Sequence, residues 1–469
     1  MLNVKTSILA AFGFALAGAP AALCQATLQL DLKAPGKAIP GHFAGLSFES
    51  AATLPDVNGN YPYFRASNTA LVELFKTLGI RSLRVGGNTS DRPSVAIPGQ
   101  ADIDQVFGFA KAAGARVIYT LRLRDSTPAA VQGTAKYIMD RYAEQVDCLV
   151  VGNEPNVYEK TYPHYAEDLK RFYPAVLAVA PKAKFCGPST TPGAGVWVSG
   201  YIEDFGKSPQ TYAVTQHAYS GGNARKVTSP EEGRSLMLSQ KFIDANQQLY
   251  DAFVPKAKAA GAKYRIEETN SFYNGGAKDV SNTFASALWA LGDLYWWVKN
   301  DAEGINFHTG DQVAAGEIQT PCWYATFWNT HRGLEVHPIA YALAAFRLGA
   351  SGSLIPATLT GAPDGVDAYA SRTAGGEVIV TLINRNYGET AKPLDVVLAL
   401  PAGFAHLSQM TLKAPKGDIS AVQGETLGGA AIEANGGWKG RWTSVRAEGG
   451  KRASIRLDPA SALVLKLSK

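Results

Sequence analysis

Between residues 41 and 348, short apolar runs alternate with longer stretches whose apolar positions recur every three or four residues. The first pattern is that of a strand buried on both faces, the second that of a helix with one face on a core. Strands are predicted at 43–48, 82–85, 116–123, 148–151, 184–186, 212–215, 263–266 and 304–307. Helices are predicted between them. Ser67 and Asn68 open one whose buried face carries Leu71, Leu74, Phe75 and Leu78. Others lie near 102–113, after Thr127-Pro128, and at 162–179, 196–206, 234–260 and 279–298. A last helix is expected at 324–347, interrupted between Gly333 and Pro338. Pro128 suits a first helical turn, and Gly261 suits a helix stop. Eight strand–helix units predict an α/β fold, a (β/α)8 TIM barrel. The rival, an open doubly wound sheet, is expected to carry a G-x-G-x-x-G turn, and Val85-Gly86-Gly87-Asn88 lacks that spacing.

After Gly349 the period changes to two. Segments 377–383, 394–400, 408–412, 453–457 and 462–467 read as strands separated by Gly, Pro and Asn turns. Residues 27–40 alternate in the same way and read as an edge strand. The organisation expected is a catalytic barrel at 41–348 and a C-terminal β-sandwich of 349–469 completed by 27–40, serving as a packing module.

The first residues read as an export signal over 1–26. Lys5 precedes an apolar run at 8–19, and Ala19-Pro20-Ala21 and Cys24-Gln25-Ala26 offer small residues for cleavage. The run is short for a membrane span, so an exported protein, periplasmic or secreted, is expected, without stable membrane insertion. Leu23 is bulkier than lipid attachment at Cys24 favours. Cys148 and Cys186 lie in apolar runs and read as buried small hydrophobic residues; with Cys24 and Cys322 they form no disulfide framework. No C-x-x-C or H-x-x-x-H spacing points to a metal, and no cofactor is expected. The net charge of +5 is scattered without basic runs, which argues against a nucleic-acid partner.

The candidate chemistry starts at Leu149-Val150-Val151-Gly152-Asn153-Glu154-Pro155-Asn156. Pro155 has no N–H for a ladder, so the fourth barrel strand ends there and sets Asn153 and Glu154 on its carboxyl-end rim. Barrel enzymes keep their chemistry on that rim. The seventh strand ends at Glu267-Glu268-Thr269-Asn270, across the mouth. Two carboxylates flanking one bond are what glycoside hydrolysis requires, one as proton donor and one as nucleophile or base. Strand alternation allows only one of Glu267 and Glu268 to face the mouth, and spacing leaves the choice open. Asn153 is placed to bond a sugar 2-hydroxyl. Tyr219, ending strand six, is placed to donate to the nucleophile and lower its pKa. Glu49, Asn88, His217 and His308 also end strands, and Tyr273 follows Glu268 in the same loop. Trp296 and Trp297 read as core. Of Arg122 and Arg124, one is expected in a structural ion pair and the other free to meet an acidic substrate.

Leu46-Ser47-Phe48-Glu49, Leu83-Arg84-Val85-Gly86-Gly87-Asn88-Thr89, Val151-Gly152-Asn153-Glu154-Pro155-Asn156 and Glu268-Thr269-Asn270-Ser271, in this order, resemble glycoside hydrolase family 79, which contains heparanases and β-glucuronidases. The resemblance spans nearly the whole chain after the signal. It implies a retaining mechanism with Glu154 as acid/base and, because the family nucleophile directly precedes a Thr, Glu268 as nucleophile. It implies sugar contacts from Glu49, Asn88, Tyr219 and Tyr273, with Asn153, His217, Asn274, Gly310 and Asp311 completing the expected substrate-binding set. One departure stands out. Family glucuronidases tend to carry Gly-Tyr in the loop after strand eight, and this chain reads His308-Thr309-Gly310-Asp311. An aspartate there repels a uronate carboxylate. The expectation is therefore a retaining β-glycosidase acting on β-glucuronides or uronic-acid glycans, with a neutral β-glycoside as alternative and a catalytically silent carbohydrate-binding protein as the alternative of another class.

Overall fold

A computed structural model describes residues 25–469, apart from 35, 311, 315, 316, 321, 331 and 450. Residues 1–24 of the expected signal, with Cys24, and also Asp311 lie outside the described residues. Gln25 and Ala26, assigned to the signal by sequence, begin the strand Gln25–Leu30.

Eight parallel strands close into a barrel. In order they are Ala44–Glu49, Ser82–Gly86, Arg116–Leu121, Val146–Val151, Phe185–Thr190, Thr211–Ala218, Lys263–Thr269 and Gly304–His308. The last pairs with the first, Ile305 opposite Ala44. Alternate residues face opposite ways: Leu149 and Val151 pack outward with the helices, while Cys148 and Val150 join Ile118, Cys186 and Ala213 in a separate cluster inside. The Asn68 side chain caps the helix Thr69–Leu78, and Gly79 ends it in the left-handed region.

Several expectations are corrected. Cys148 and Cys186 are not independent hydrophobic residues; they form a disulfide with Cα atoms 5.8 Å apart. Register explains it: Cys186 lies opposite Val150 on the neighbouring strand, so Cys148 is its diagonal neighbour on the same inward face. The segment 27–40 is two strands rather than one, and only the second, Lys37–Ala38, is an edge. Gln25–Leu30 sits between Ala357–Thr360 and Leu394–Ala399 in a four-stranded sheet, and Lys37–Ala38 pairs with Ser353–Ile355 in the second, eight-stranded sheet. The helix expected at 324–347 begins only at Pro338; Phe327–Thr330 and Gly333–Val336 form a hairpin before it, where Trp, Thr and Val favour extended backbone. The long helix at 234–260 is two, Pro230–Leu238 and Gln240–Ala259.

The C-terminal sheets enclose their own core, in which Leu28, Val396 and Ile455 meet Val380, Leu382 and Leu465. The other face of Val378–Asn384 presents Ile379 and Ile383 to the barrel's core. That is why the helices Phe284–Lys299 and Pro338–Gly349 are apolar nearly all round: barrel and sheet cover them from opposite sides. Tyr295 and Thr381 hydrogen-bond across this seam at 2.7 Å. Among the described residues no helix is long and apolar enough to cross a membrane.

Candidate active site

The carboxyl ends of the first, second, fourth, sixth, seventh and eighth strands converge. At the centre lies Arg84, from strand two, with no exposed surface. Its Nη1 donates to Glu268 Oε2 at 2.6 Å and to Ser47 Oγ at 3.1 Å, and its Nη2 donates to Asn153 Oδ1 at 2.6 Å. Burial alone would favour loss of its proton; Glu268 and Glu267 outweigh that and hold the guanidinium charged.

Glu268 also accepts from the Tyr219 hydroxyl at 2.9 Å, the contact expected from sequence. His217 and His308 each bring Nδ1 to 3.7 Å from it. Burial pushes the Glu268 carboxyl up, but His217, His308, Arg84 and Tyr219 together hold it well below the ordinary carboxylate range. His217 sits between the two strand-end carboxylates, its Nδ1 2.9 Å from Glu154 Oε1. Burial disfavours its charged form, yet Glu268 and Glu154 raise its pKa overall. One carboxylate oxygen of Glu154 and one of Glu268 lie within 4.8 Å of each other.

Glu267 is not turned away from the axis, as simple alternation requires. It is fully buried, bonded to Ser189 Oγ, with His217 Nε2 3.8 Å from it. The register between strands six and seven slips here: Gln216 faces Ile266, and His217 already faces Glu268. The extra residue of this bulge lets both glutamates point inward at different depths. Only Glu268 reaches the cleft.

The loop after strand four is held in an unusual shape. Gly152 and Glu154 both have positive φ, 85° and 47°. The Glu154 N–H donates to the Ser189 carbonyl at 2.8 Å, and the Asn153 N–H to Asp91 Oδ2 at 2.6 Å. Asp91 also takes the N–H groups of Leu123 and Arg124 and the Tyr158 hydroxyl, pinning this loop to the one after strand three. Burial raises its pKa despite those donors. Such a left-handed, non-glycine conformation persists only where its surroundings enforce it.

A cleft of about 420 Å³ opens above the pair. Of the residues expected from sequence, Glu49, Asn88, Glu154, Tyr219, Glu268, Tyr273, Asn274 and Gly310 line it. Asn153 and His217 do not; they lie a layer below, holding Arg84 and Glu154. Glu49 accepts from the N–H groups of Asn88 and Thr89 and from Thr89 Oγ1, and His308 Nε2 stands 3.7 Å away. Its burial is outweighed by His308 and Thr89, so its pKa is lowered. Gly87 makes this possible: a Cβ there would fall 2.5 Å from Glu49 Cδ. Arg122 spends its guanidinium on the carbonyls of Ser90, Arg92 and Val95 rather than on an ion pair. Arg124 stacks on Tyr158 and stands 4.0 Å from Asp125, so neither arginine reaches the cleft. Sequence reading missed Arg84, Asp91 and Tyr324 as parts of the site. An arginine inside an otherwise apolar strand was the available signal for the first.

No protein-family model matches the chain, and neither does any curated protein sequence. Solved structures do. A 4-O-α-L-rhamnosyl-β-D-glucuronidase from Fusarium oxysporum 12S superposes with a TM-score of 0.73 at 18% identity, over 94% of this chain and 100% of that one. A GH51 arabinofuranosidase from Xanthomonas axonopodis pv. citri gives 0.69 at 13% identity, over 95% and 100%. A monomeric β-xylosidase from Caulobacter crescentus CB15 gives 0.65 at 14%, over 94% and 99%. The fold, a barrel with a β-domain, is the one these three glycosidases have. This chain shares with them the whole architecture, barrel and β-domain together, at identities that speak to fold alone.

Proposed function

We propose that the protein is a retaining β-glycoside hydrolase with Glu154 as acid/base and Glu268 as nucleophile. The observation that carries this is the pair itself: oxygens within 4.8 Å, bordering one cleft, on strands four and seven. Retaining enzymes hold their carboxyl groups ~5–5.5 Å apart, inverting ones ~6.5–9.5 Å. The surroundings divide the roles. Glu268 is ringed by Arg84, Tyr219, His217 and His308, which favour the anion a nucleophile needs.

In the first step Glu268 attacks the anomeric carbon, the glycosidic bond breaks, and the Glu154 proton goes to the departing oxygen. In the second, Glu154 takes a proton from water as that water's oxygen attacks the anomeric carbon. The ester to Glu268 breaks and both carboxyl groups return to their starting states.

For the sugar, the motif resemblance supports a β-glucuronide. A neutral β-glycoside is the second reading, favoured by the cleft's charge: among the described residues lining it are Glu49, Glu154 and Glu268, and no Lys or Arg. A panel of nitrophenyl β-glycosides tests both. Hydrolysis of the glucuronide supports the first; hydrolysis of the glucoside but not the glucuronide replaces it with the second. No turnover of any member leaves a silent carbohydrate-binding protein, and full activity in Glu268→Ala overturns the nucleophile assignment. Export of the chain is part of the proposal, supported by the Cys148–Cys186 disulfide, since such bonds persist in oxidising compartments. Mass spectrometry of the protein from its native host tests it: a full-length amino terminus contradicts cleavage near residue 26.

A further inference from the structure

Glu267 is a fully buried carboxylate that neither step of the proposed reaction uses. Its hydrogen bonds are few. Ser189 Oγ donates to Oε1, and Oε2 has no hydrogen-bond partner. A carboxylate so placed requires a cation close by. Three side chains near it can carry positive charge. Arg84, from strand two, is committed to Glu268, Ser47 and Asn153. Arg265, on the same strand as Glu267, is committed to Asn306 and to the carbonyls of His42, Phe43 and Glu303. The third is His217, on strand six, whose Nε2 stands 3.8 Å from Glu267 Oε1. The remaining titratable groups near Glu267 are the phenols of Tyr165 and Tyr201, which bring no positive charge.

The two ring nitrogens of His217 meet different neighbours. Nδ1 lies 2.9 Å from Glu154 Oε1 and 3.7 Å from Glu268 Oε1, and two carboxylates on that side require a hydrogen there. Nε2 lies between Glu267 Oε1 and Arg84 Nη2, the latter 3.5 Å away. With Nε2 bare, the ring is neutral and accepts from Arg84. With Nε2 protonated, it is an imidazolium facing Glu267. Arg84 Nη2 already donates to Asn153 at 2.6 Å, and 3.5 Å is at the limit of a hydrogen bond, so its claim on Nε2 is weak. The claim of Glu267 is stronger, because a buried carboxylate without a cation is the costlier thing to leave.

We infer that Glu267 is a positioning residue for the acid/base: it holds His217 as an imidazolium, whose Nδ1–H fixes Glu154 Oε1 and leaves Oε2 to carry the proton exchanged with the leaving group. The inference rests on the glycosidase reading. His217 keeps both its protons through both steps; Glu154 alone gives one up and takes one back.

Two measurements test it. The chain has seven histidines, few enough for NMR of nitrogen-labelled histidine to resolve each ring, with His217→Asn assigning the signal. Near neutral pH the wild-type His217 is expected to carry a proton on both ring nitrogens. In Glu267→Gln, which keeps the shape of the side chain and an oxygen for Ser189, Nε2 is expected to be bare. The second measurement is the pH profile of kcat/KM on the glycoside that the nitrophenyl panel selects. Losing the imidazolium beside Glu154 lets that group keep its proton to higher pH, so the basic limb of the variant should rise by about one pH unit. Losing the Glu267 anion without a change at His217 would act in the opposite direction, so the sign separates a route through His217 from a direct field effect. A neutral His217 in the wild type, a doubly protonated one in the variant, or a basic limb that stays or falls overturns the inference, and the glycosidase reading stands. If thermal melting shows that the variant is unfolded, the wild-type spectrum decides: a doubly protonated His217 supports the inference and a neutral one overturns it. A wild type that turns over no glycoside overturns the glycosidase reading and, with it, the role assigned to Glu267.

Discussion

The Arg84 guanidinium, with no exposed surface, donates to Glu268 Oε2 at 2.6 Å from beneath the cleft. A cation in that position does two things: it keeps the carboxylate ionised, and it fixes the direction in which its other oxygen points. Arg84→Lys retains the charge but loses the fork that also engages Asn153 and Ser47. The expected outcome is a fall in kcat of about 10²–10³. The acidic limb of the kcat/KM profile should also move to higher pH, because losing the short Nη1 hydrogen bond to Glu268 weakens the hold on its anion and raises its pKa. A variant with a wild-type limb would show that Arg84 is only a packing group.

Tyr219 offers a milder version of the same experiment. Tyr219→Phe removes one donor from Glu268 while keeping the ring that packs edge-on against Tyr273. The acidic limb should again rise, by less than in the Arg84 variant, with little change in melting temperature. Titrating kcat/KM from acid to neutral pH reads the shift.

Glu154 and Glu268 should fail in different ways. Glu268→Ala removes the attacking group and abolishes turnover of every substrate. Glu154→Gln removes only proton transfer, worth about 10²–10⁴ in rate, and the loss should be largest for poor leaving groups and small for nitrophenol. Equal losses for alkyl and nitrophenyl substrates would reverse the assignment of roles.

Glu425 is buried where Thr426–Leu427 packs on the helix Pro338–Gly349, and its Oε2 has no hydrogen-bond partner. Burial pushes its pKa up to about 7 from an ordinary 4.5. The sign follows. Below 4.5 the carboxyl is neutral in both states and stability is complete; between 4.5 and 7 only the unfolded chain ionises, so stability drains away as pH rises. Above that window the loss is on the order of 3 to 4 kcal/mol. Denaturant melts of Glu425→Gln at pH 5 and pH 8 should show a flatter dependence than the wild type. Asp293, buried against Asn246 and also raised to about 7, contributes in the same sense and keeps part of the slope.

The Cys148–Cys186 bond closes a loop of 38 residues inside the barrel. Its loss in Cys148→Ser/Cys186→Ser should cost about 3–4 kcal/mol, seen as a lower denaturant midpoint under oxidising conditions. Reductant added to the folded wild type should have little effect, because both cysteines are buried. An unchanged midpoint in the double variant would contradict the estimate.

Much of this protein is legible in one dimension. Period-two and helix-period segments are local consequences of which face is buried, so eight barrel strands and a β-rich tail could be read directly, and Pro155 marked where the fourth strand ends. Glu154 and Tyr219 followed from counting strands, because a parallel barrel gathers its strand ends by topology alone; counting left Glu267 and Glu268 open, and only the motif resemblance pointed to Glu268. Three things needed the third dimension. The slip between Gln216 and His217 places Glu267 and Glu268 on the same side, and a bulge leaves no mark on the alternation of residue types. The Cys148–Cys186 bond depends on inter-strand register, which local pattern does not encode. Arg84 looked like a stray charge in a strand; only closure of the barrel sets it within reach of Glu268, Asn153 and Ser47 at once. Residue order therefore determined which side chains arrive at the mouth, because burial and turn chemistry act between near neighbours. Tertiary structure decided which of them are ionised and where they point, because charges and hydrogen bonds act between atoms that only the closed barrel brings together.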